Sequence, residues 1–371
     1  MIYFDNAATT WPKPPSVLGE ARRAVELYGG NPGRSSHALS LRAAEKIDEV
    51  RHLVAALFAL PYPDHIVFTQ NATYALNLAI RTRVRQGMHI LISNREHNAV
   101  YRPVCRLVQD GVAEFDVFST DGNVAENILS LLRPETGMLI CNHISNVDGA
   151  TAPIGEIAAL CRARGIYCIL DLSQSAGHLP LTFTQDTLPD ALCAPAHKGL
   201  FGIQGCGFAW LRSGAGLSTF LEGGSGSASR MPTMPTELPE RMEAGTLPTP
   251  AIAALGEGIR FVRSVGLEAI AAHEAALADR LCTRLAKENR IRLYRGEGAG
   301  LLSFVCRGIS PEALTAALDG RGICVRSGLH CAPLSHAAIG TIEEGTVRVS
   351  FSYFNRASEV DRFADVLLSL L

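Results

Sequence analysis

The feature that most constrains the fold is a series of short apolar segments, each followed by a stretch with helical periodicity. Between His65 and Asp171 the two patterns alternate without interruption. Strands are predicted at His65–Thr69, Met88–Ser93, Glu114–Phe118, Gly137–Asn142 and Tyr167–Asp171. Helices are predicted between them at Thr73–Gln86, Ala99–Gln109, Val124–Leu132 and Pro153–Arg164. Because such strands are apolar on both faces, the order indicates an α/β fold with a mostly parallel central sheet covered by helices.

The chain changes character after Thr249, where a smaller α+β domain is expected. One long helix is predicted there over Ala251–Asn289, and two further helices at Pro311–Gly320 and from Ser358 onward. The remaining predicted elements are strands at Arg292–Tyr294, Leu301–Cys306, Ile323–Val325 and Thr346–Phe351, and N-terminal helices at Ala21–Tyr28 and Ser40–Leu60. We therefore expect a large domain over 15–250 and a small one built from 1–14 plus 251–371. The stretch Gly223–Pro239 is either a mobile surface loop or a segment that reaches into a site.

The charge and cysteine content narrow the class of partner. With 36 acidic and 34 basic side chains, the net charge of -2 predicts no strong attraction to nucleic acid or acidic membranes. The N-terminus MIYFDNAATT lacks the basic and apolar regions of a signal peptide, and no apolar stretch is long enough to span a membrane, so a cytoplasmic location is expected. None of the 10 cysteines forms a C-x-x-C pair, so no metal site is predicted, and nine are interpreted as small buried hydrophobes.

Lys198 and Asp171 are the first candidates for a cofactor site. Lys198 stands in Ala196–Gly202 between an apolar stretch and glycines, and partial burial would make its amine a nucleophile able to form a Schiff base. Asp171 ends a predicted strand, the edge at which α/β sheets bind ligands, and its carboxylate could face a pyridine nitrogen. Asp171 could equally cap the next helix.

Three further groups fit the same site. Ala72 and Thr73 begin a predicted helix, where N–H groups and a hydroxyl can bind a phosphate, although Thr73 could be only a cap. His97 follows a strand and could lie over a flat ring. Arg348 is flanked by apolar residues, and its guanidinium has the geometry to bind an amino-acid carboxylate.

Cys331 is the one cysteine with a separate interpretation. It lies in a loop near Arg326 and His330, whose charges would favour the thiolate. Such a thiolate could attack the sulfur of a bound cysteine. The alternative is one more buried cysteine.

The order of these motifs resembles that of class V aminotransferase-fold enzymes. The motifs are DNAATT, N-A-T-x-x-L-N, E-H-N, H-I-S-N-V-x-G, D-x-S-Q, A-H-K-x-x-x-G, E-A-G-T and R-S-G-L-H-C-A-P, and they run from Tyr3 to about Asn355. They are most similar to the cysteine desulfurase and selenocysteine lyase branch, of the type II, SUF-like group. The resemblance implies a fold-type-I transferase that uses pyridoxal 5'-phosphate (PLP).

The resemblance also implies a role for each matched residue. Lys198 would carry the cofactor, Asp171 would pair with its pyridine nitrogen, and Gln174 would bond its phenolic oxygen. His97 would stack on the ring and move protons, and Ala72, Thr73 and His197 would bind the phosphate. Asn146 would contact both cofactor and substrate, Arg348 and His37 would bind the substrate, and Thr246 would reach the phosphate of a neighbouring subunit in a homodimer. One departure is Pro195, where the family often has a serine, so a phosphate hydroxyl could be missing.

The function that follows is removal of sulfur from L-cysteine, leaving alanine and a persulfide on Cys331. The 16 residues between Cys331 and Arg348 make a short loop, so a dedicated sulfur-acceptor protein is expected to come to the thiol. Iron–sulfur cluster assembly, tRNA thiolation, molybdenum-cofactor sulfuration and selenium supply all use this chemistry. The alternatives are selenocysteine lyase, another PLP-dependent lyase or aminotransferase, and a non-catalytic scaffold.

Overall fold

A seven-stranded sheet forms the centre of the molecule in the computed structural model, which describes residues 1–33, 37–298 and 300–371. Its strand order is β2-β8-β7-β6-β5-β3-β4. The strands are β2 (Ile66–Thr69), β3 (Met88–Ser93), β4 (Ala113–Phe118), β5 (Thr136–Asn142), β6 (Tyr167–Asp171), β7 (Ala191–Pro195) and β8 (Gly207–Leu211). From β4 to β7 every pairing is parallel, and β8 and β2 join antiparallel. The predicted mostly parallel sheet is confirmed.

The sheet has a separate apolar core on each face. Along β3 the side chains alternate: Ile90 and Ile92 are buried on one face, whereas Leu91 is buried on the other. The helices α3 (Ala72–Arg83) and α4 (Asn98–Gln109) pack against the face of Ile90. The opposite face is covered by α2 (Ala38–Phe58), α6 (Ile154–Arg164) and α7 (Thr249–Val265). Two other helices of this part are α1 (Pro15–Leu27) and α5 (Val124–Leu129).

The C-terminal part contains the expected α+β elements around a third core. Its four-stranded antiparallel sheet has the order β12-β13-β10-β9, and β11 pairs in parallel with the N-terminal β1 (Ile2–Tyr3). The elements are α8 (Leu267–Leu285), β9 (Ile291–Tyr294), β10 (Leu301–Cys306), α9 (Pro311–Asp319), β11 (Ile323–Cys324), β12 (Arg326–Gly328), α10 (Pro333–Ile339), β13 (Thr346–Ser350) and α11 (Ala357–Leu370).

The single long helix predicted over Ala251–Asn289 is wrong. The structure has two helices, α7 and α8, separated at Gly266, whose φ of +93 lies outside the helical region and suits only glycine without strain. Ile252 and Ile259 of α7 belong to the large core, whereas Leu277 and Leu281 of α8 belong to the C-terminal core. The division into 15–250 and 1–14 plus 251–371 stays a prediction.

The segment after β1 joins the two parts of the molecule. Asn6 donates from Nδ2 to the carbonyl of Ser350 at 2.9 Å, next to the C-terminal sheet. Beyond it, the carbonyl of Ala7 accepts from Gln174 at 3.1 Å, and Thr10 contacts the connection between β7 and β8. The N-terminal segment is therefore positioned to link the small sheet to the edge of the large one.

Candidate active site

A cavity of about 550 Å³, its open mouth included, lies at the carboxyl ends of the central strands. Asn142, Asp171 and Pro195 end three neighbouring strands, β5, β6 and β7, and all three residues line it. Eight predicted site residues are brought together here: Lys198, Asp171, Gln174, His97, Ala72, Thr73, His197 and Asn146.

Lys198 is held in a tight turn directly after β7. Phe201 donates its N–H to the Lys198 carbonyl at 2.8 Å and has a φ of +54. Gly199 has no room for a side chain, because a Cβ there would lie 2.4 Å from both the Ala176 carbonyl oxygen and His178. Burial lowers the pKa of the Lys198 amine to about 8, with Asp171 opposing the shift. The amine is therefore deprotonated far more often than an exposed lysine, as a nucleophile requires.

Asp171 lies at the floor of the cavity and is buried. Burial raises the pKa of its carboxyl group, while hydrogen bonds from Ser173 and the positive charge of Lys198 act in the opposite direction. Its Oδ1 accepts the Ser173 N–H at 2.8 Å within a turn. The alternative that Asp171 caps the next helix is wrong, because the described residues after it form no helix before α7. A cationic ring N–H placed here would relieve the burial of the carboxylate. Gln174 also lines the cavity and is anchored to Ala7.

The N-terminus of α3 forms an anion-binding corner of the cavity. Asn71 caps the helix by accepting the Tyr74 N–H at 2.9 Å, and the N–H groups of Ala72 and Thr73 have no acceptor within the helix. His197 stands on the same cavity, and its buried Nδ1 has no hydrogen-bond partner. Burial lowers the pKa of His197 to about 4. An orphaned buried nitrogen beside helix N–H groups fits a phosphate, even though Pro195 offers no hydroxyl.

His97 begins α4, and its ring faces the cavity in the neutral form. Its Nδ1 accepts the Ala99 N–H at 3.0 Å, so the neutral ring carries its proton on Nε2. Burial, assisted by the charge of Lys198, lowers the pKa of His97 to about 4. The neutral ring is suited to stacking and hydrogen bonding. It must gain a proton before it can protonate a leaving group.

Glu96 was not assigned a role from the sequence, although it stands in the E-H-N motif. It is buried, and its Oε1 accepts from both Ser93 Oγ and the Asn142 N–H at 2.7 Å. Burial raises the pKa of Glu96 to about 8. The carboxyl group ties the end of β3 to the end of β5 and so holds His97 against the cavity wall.

Arg348 lies beside the cavity rather than in its wall, on β13. Its Nη1 donates to the Asn146 carbonyl and its Nη2 to Asp5 Oδ1, both at 2.9 Å. Its side chain is 1% exposed, and its Nε has no partner. A buried guanidinium with an unused N–H donor can bind a substrate carboxylate by donating a hydrogen bond to it. Asp5, which opens the DNAATT motif, was not predicted to hold it.

Cys331 is exposed on the loop between β12 and α10, in a strained backbone. His330 and Cys331 have φ values of +49 and +59, a region that non-glycine residues rarely adopt. Two bonds from distant parts of the chain hold this shape. Asn146 Nδ2 donates to the His330 carbonyl at 2.8 Å, and the Asn98 N–H donates to the Cys331 carbonyl at 2.7 Å. The loop is therefore bonded to Asn146, which lines the cavity, although Cys331 itself is not one of the lining residues. Because Cys331 is exposed, it is not one more buried hydrophobe.

The prediction that His330 would favour the thiolate is wrong. Its ring is buried, and its Nε2 is hydrogen-bonded to Thr346 Oγ1 at 3.0 Å. Burial, with Arg348 nearby, lowers the pKa of His330 to about 2, so it carries no charge at neutral pH. Arg326 does reach the thiol, with Nη2 at 3.9 Å from Cys331 Sγ.

Thr246 and His37 do not line the cavity of their own chain. Thr246 is exposed, and Asn31 Nδ2 lies 3.5 Å from its hydroxyl. His37 is also exposed and caps α2, with Nδ1 accepting the Ser40 N–H at 3.3 Å. Glu243, in the same motif as Thr246, is buried in an ion pair with Arg51 at 2.6 Å, which anchors this segment near β2.

The fold and the lysine–aspartate cavity define an α/β enzyme of the aminotransferase type. The chain belongs to the aminotransferase class-V family, whose model matches residues 2–363. The predicted family is thereby confirmed.

Its relatives include proteins described as probable cysteine desulfurases, and its structural neighbours include cysteine desulfurases. It is 31% identical to a probable cysteine desulfurase of Methanothermobacter thermautotrophicus, over 99% of this chain and 94% of that one. It is 33% identical to one of Mycolicibacterium paratuberculosis over 98% of this chain, but spans only 54% of that longer protein. The apo cysteine desulfurase of Thermococcus onnurineus superposes with a TM-score of 0.90 at 29% identity, covering 100% and 94% of the two chains. The cysteine desulfurase CsdA of Escherichia coli gives 0.88 at 26%, covering 100% and 95%.

No helix in the described ranges 1–33, 37–298 and 300–371 is long and apolar enough to cross a membrane.

Proposed function

We propose that this chain is a cysteine desulfurase that uses PLP, converting L-cysteine to L-alanine and leaving the sulfur as a persulfide on Cys331. The observation that carries the proposal is the bridge made by Asn146. This buried residue lines the cavity of Lys198, bonds to Arg348 through its carbonyl and bonds to the Cys331 loop through its amide. It thus connects a lysine site, a carboxylate site and a thiol.

The residues of the cavity fit PLP. Lys198 would hold its aldehyde carbon, Asp171 its ring nitrogen and Gln174 its phenolic oxygen, while the start of α3 and His197 would bind its phosphate. When bound, the cofactor supplies an electron-withdrawing ring that stabilises negative charge on the substrate α-carbon. Lys198, with its lowered pKa, is suited to remove the α-proton once its amine is free. His97 would lie against the ring.

Arg348 would orient the substrate. Its unpartnered Nε and the remaining N–H groups can bind the α-carboxylate in a bidentate manner, while Asn146 and Asp5 hold the guanidinium in place. A fixed carboxylate directs the Sγ atom of the substrate toward the loop of Cys331.

The sulfur step belongs to Cys331. Its thiolate attacks the Sγ of the substrate, a new S–S bond forms, and the C–S bond breaks with its electron pair remaining on the organic fragment. That fragment takes up protons and leaves as alanine. Cysteine and the enzyme thiol are thereby converted into alanine and an enzyme persulfide, and no external oxidant is needed. Arg326 Nη2 lies 3.9 Å from Cys331 Sγ and is a cationic group in contact with the sulfur.

The same proposal includes a homodimer with shared active sites. Thr246 and His37 are exposed and lie outside the cavity of their own chain, as expected for residues that complete a neighbour's site. The stretch Gly223–Pro239 would line that neighbouring site. It is mostly exposed, and Gly226 packs closely on the backbone of Gly33.

A sulfur-acceptor protein would then collect the persulfide. The Cys331 loop is short and is bonded to the large domain at two carbonyls, so the thiol cannot travel far by itself. Iron–sulfur cluster assembly is one process that such an acceptor would serve. The cytoplasmic location stays a prediction.

The test is alanine and sulfide release from L-cysteine by the purified protein. Cys331→Ala should abolish sulfide release from cysteine, and Lys198→Ala should abolish alanine formation as well. If Cys331→Ala releases sulfide at the wild-type rate, the proposed role of the thiol is refuted. Full retention of selenocysteine turnover by Cys331→Ala, with weak wild-type activity on cysteine, would instead identify a selenocysteine lyase.

A further inference from the structure

The carbonyl of His197, the residue before Lys198, is the acceptor for an unusual number of donors. All of them come from the N-terminal segment. Thr9 Oγ1 lies 3.1 Å away, the Thr10 N–H and hydroxyl lie 3.2 Å away, and Lys13 Nζ lies 2.7 Å away. A carbonyl oxygen has two lone pairs, so these donors share one acceptor. The bond from Lys13 is the shortest, and it is the charged one.

Lys13 is half-buried, in a position where removing its ammonium group from water lowers the stability of the fold. Its ammonium has a second bond, to Thr10 Oγ1 at 2.6 Å, but it forms no ion pair with a carboxylate among the described residues. Burial lowers the pKa of Lys13 to about 7. A desolvated cation without a counter-ion is usually destabilising, and the bonds to Thr10 and to the His197 carbonyl offset that cost.

The same contact acts on both sides of Lys198. Thr10 Oγ1, which receives the Lys13 bond, has one proton to donate, and it lies between the Lys198 carbonyl at 3.0 Å and the His197 carbonyl at 3.2 Å. The charge of Lys13 helps to lower the pKa of His197, which keeps that ring neutral beside the phosphate corner. The two peptide carbonyls that flank Lys198 are therefore held from one side by Thr10 and Lys13.

We propose that Lys13 is a positioning residue, whose ammonium group braces the peptide before Lys198 and so orients the Lys198 amine toward the cavity. The inference rests on the proposed function of Lys198. Lys13 does not line the cavity and would touch neither substrate nor cofactor. It would act through the His197 carbonyl and through Thr10.

The experiment compares Lys13→Met, Lys13→Gln and Lys13→Arg with Lys287→Met in the full-length, cofactor-free protein. Lys287 is an exposed lysine just beyond α8 and serves as the matched control. The first readout is amide hydrogen exchange of the peptide spanning 196–202, corrected for intrinsic rates, from pH 6 to pH 8.5. The second is the rate at which added PLP becomes linked to Lys198, followed by absorbance.

Wild type should lose protection in this peptide as the pH rises through about 7, where Lys13 loses its charge. Lys13→Arg, which stays charged, should remain protected throughout. Lys13→Met and Lys13→Gln should show the lower protection of the high-pH wild type at every pH and should link PLP about tenfold more slowly. The other titratable groups on the contacted segment are His197, with a pKa near 4, and Lys198, with a pKa near 8 that also falls within the scanned range but is common to every variant.

Steady-state kinetics adds a separate test. Lys13→Met should lower kcat for cysteine while leaving KM nearly unchanged, because Arg348 and Asn146 are untouched. The proposal is overturned if Lys13→Met matches Lys287→Met at every pH, or if Lys13→Arg behaves like Lys13→Met. If circular dichroism shows that Lys13→Met or Lys13→Gln does not fold, the comparison is made with the other of the two. If the wild-type protein shows no desulfurase activity, the proposed function is refuted. The amide hydrogen exchange and the rate of PLP linkage to Lys198 would still test the role of Lys13.

Discussion

Asn146→Ala should release the Cys331 loop without dismantling the carboxylate site. The substitution removes the amide that donates to the His330 carbonyl at 2.8 Å. It keeps the backbone carbonyl that accepts from Arg348 at 2.9 Å. The substitution should therefore alter the reactivity of the Cys331 thiol but leave the binding of the substrate carboxylate by Arg348 nearly unchanged.

The magnitude follows from the strain in the loop. His330 and Cys331 both have left-handed φ values, and each such residue costs about 1–3 kcal/mol. The amide of Asn146 and the N–H of Asn98 donate the two bonds that oppose this strain. Losing one of them leaves a carbonyl unsatisfied, at a cost of about 1–3 kcal/mol. The population of the bonded loop should fall by roughly 5- to 150-fold relative to released states.

The assay is alkylation of Cys331 by iodoacetamide under pseudo-first-order conditions, beside kcat and KM for cysteine. Asn146→Ala should change the alkylation rate and lower kcat by roughly 5- to 150-fold, with a smaller change in KM. The matched control is Asn127→Ala, which likewise removes a side-chain amide that bonds to backbone carbonyls. In this case they are the carbonyls of Ser119 and Asp121, away from the cavity. Unchanged alkylation and unchanged kcat would refute the bracing role of Asn146.

Three further outcomes are expected. Arg348→Lys should raise KM for cysteine about tenfold or more, because a lysine cannot bind the carboxylate in a bidentate manner; an unchanged KM would place the carboxylate elsewhere. Lys198→Met should stabilise the cofactor-free protein by up to about 3 kcal/mol near pH 7, measured by urea unfolding. The pKa of Lys198 falls from 10.5 to about 8 on folding, so the unfolded chain binds more protons than the folded one between these pH values. The difference in unfolding free energy between Lys198→Met and wild type should therefore narrow as the pH rises from 8 to 10.5. A difference that stays constant with pH would contradict this. Thr246→Val and Lys198→Ala homodimers should each be impaired, and mixing them should restore activity in hybrid dimers if sites are shared, whereas no recovery would argue for separate sites.

Much of the fold could be predicted because buried parallel strands are apolar along their whole length. Met88–Ser93 and Tyr167–Asp171 have the same bounds in the structure as in the prediction. The strands Ala191–Pro195 and Gly207–Leu211 were missed. Ala191–Pro195 consists mostly of small residues with little strand preference, whereas Phe208 and Trp210 of Gly207–Leu211 do favour a strand and were a signal that was overlooked. The break at Gly266 was missed because the apolar periodicity continues on both sides of it.

The sequence by itself determined which chemical groups are present and their order along the chain, because motif spacing and strand ends depend on local structure. Lys198 and Asp171 could be assigned in this way. Only the tertiary structure decided which groups meet, because those contacts join residues that are far apart in the chain. Asp5 and Arg348 are 343 positions apart, and Lys13 and His197 are 184 apart. Whether a histidine or lysine there is charged depends on how completely the folded chain removes it from water, and sequence patterns do not carry that information.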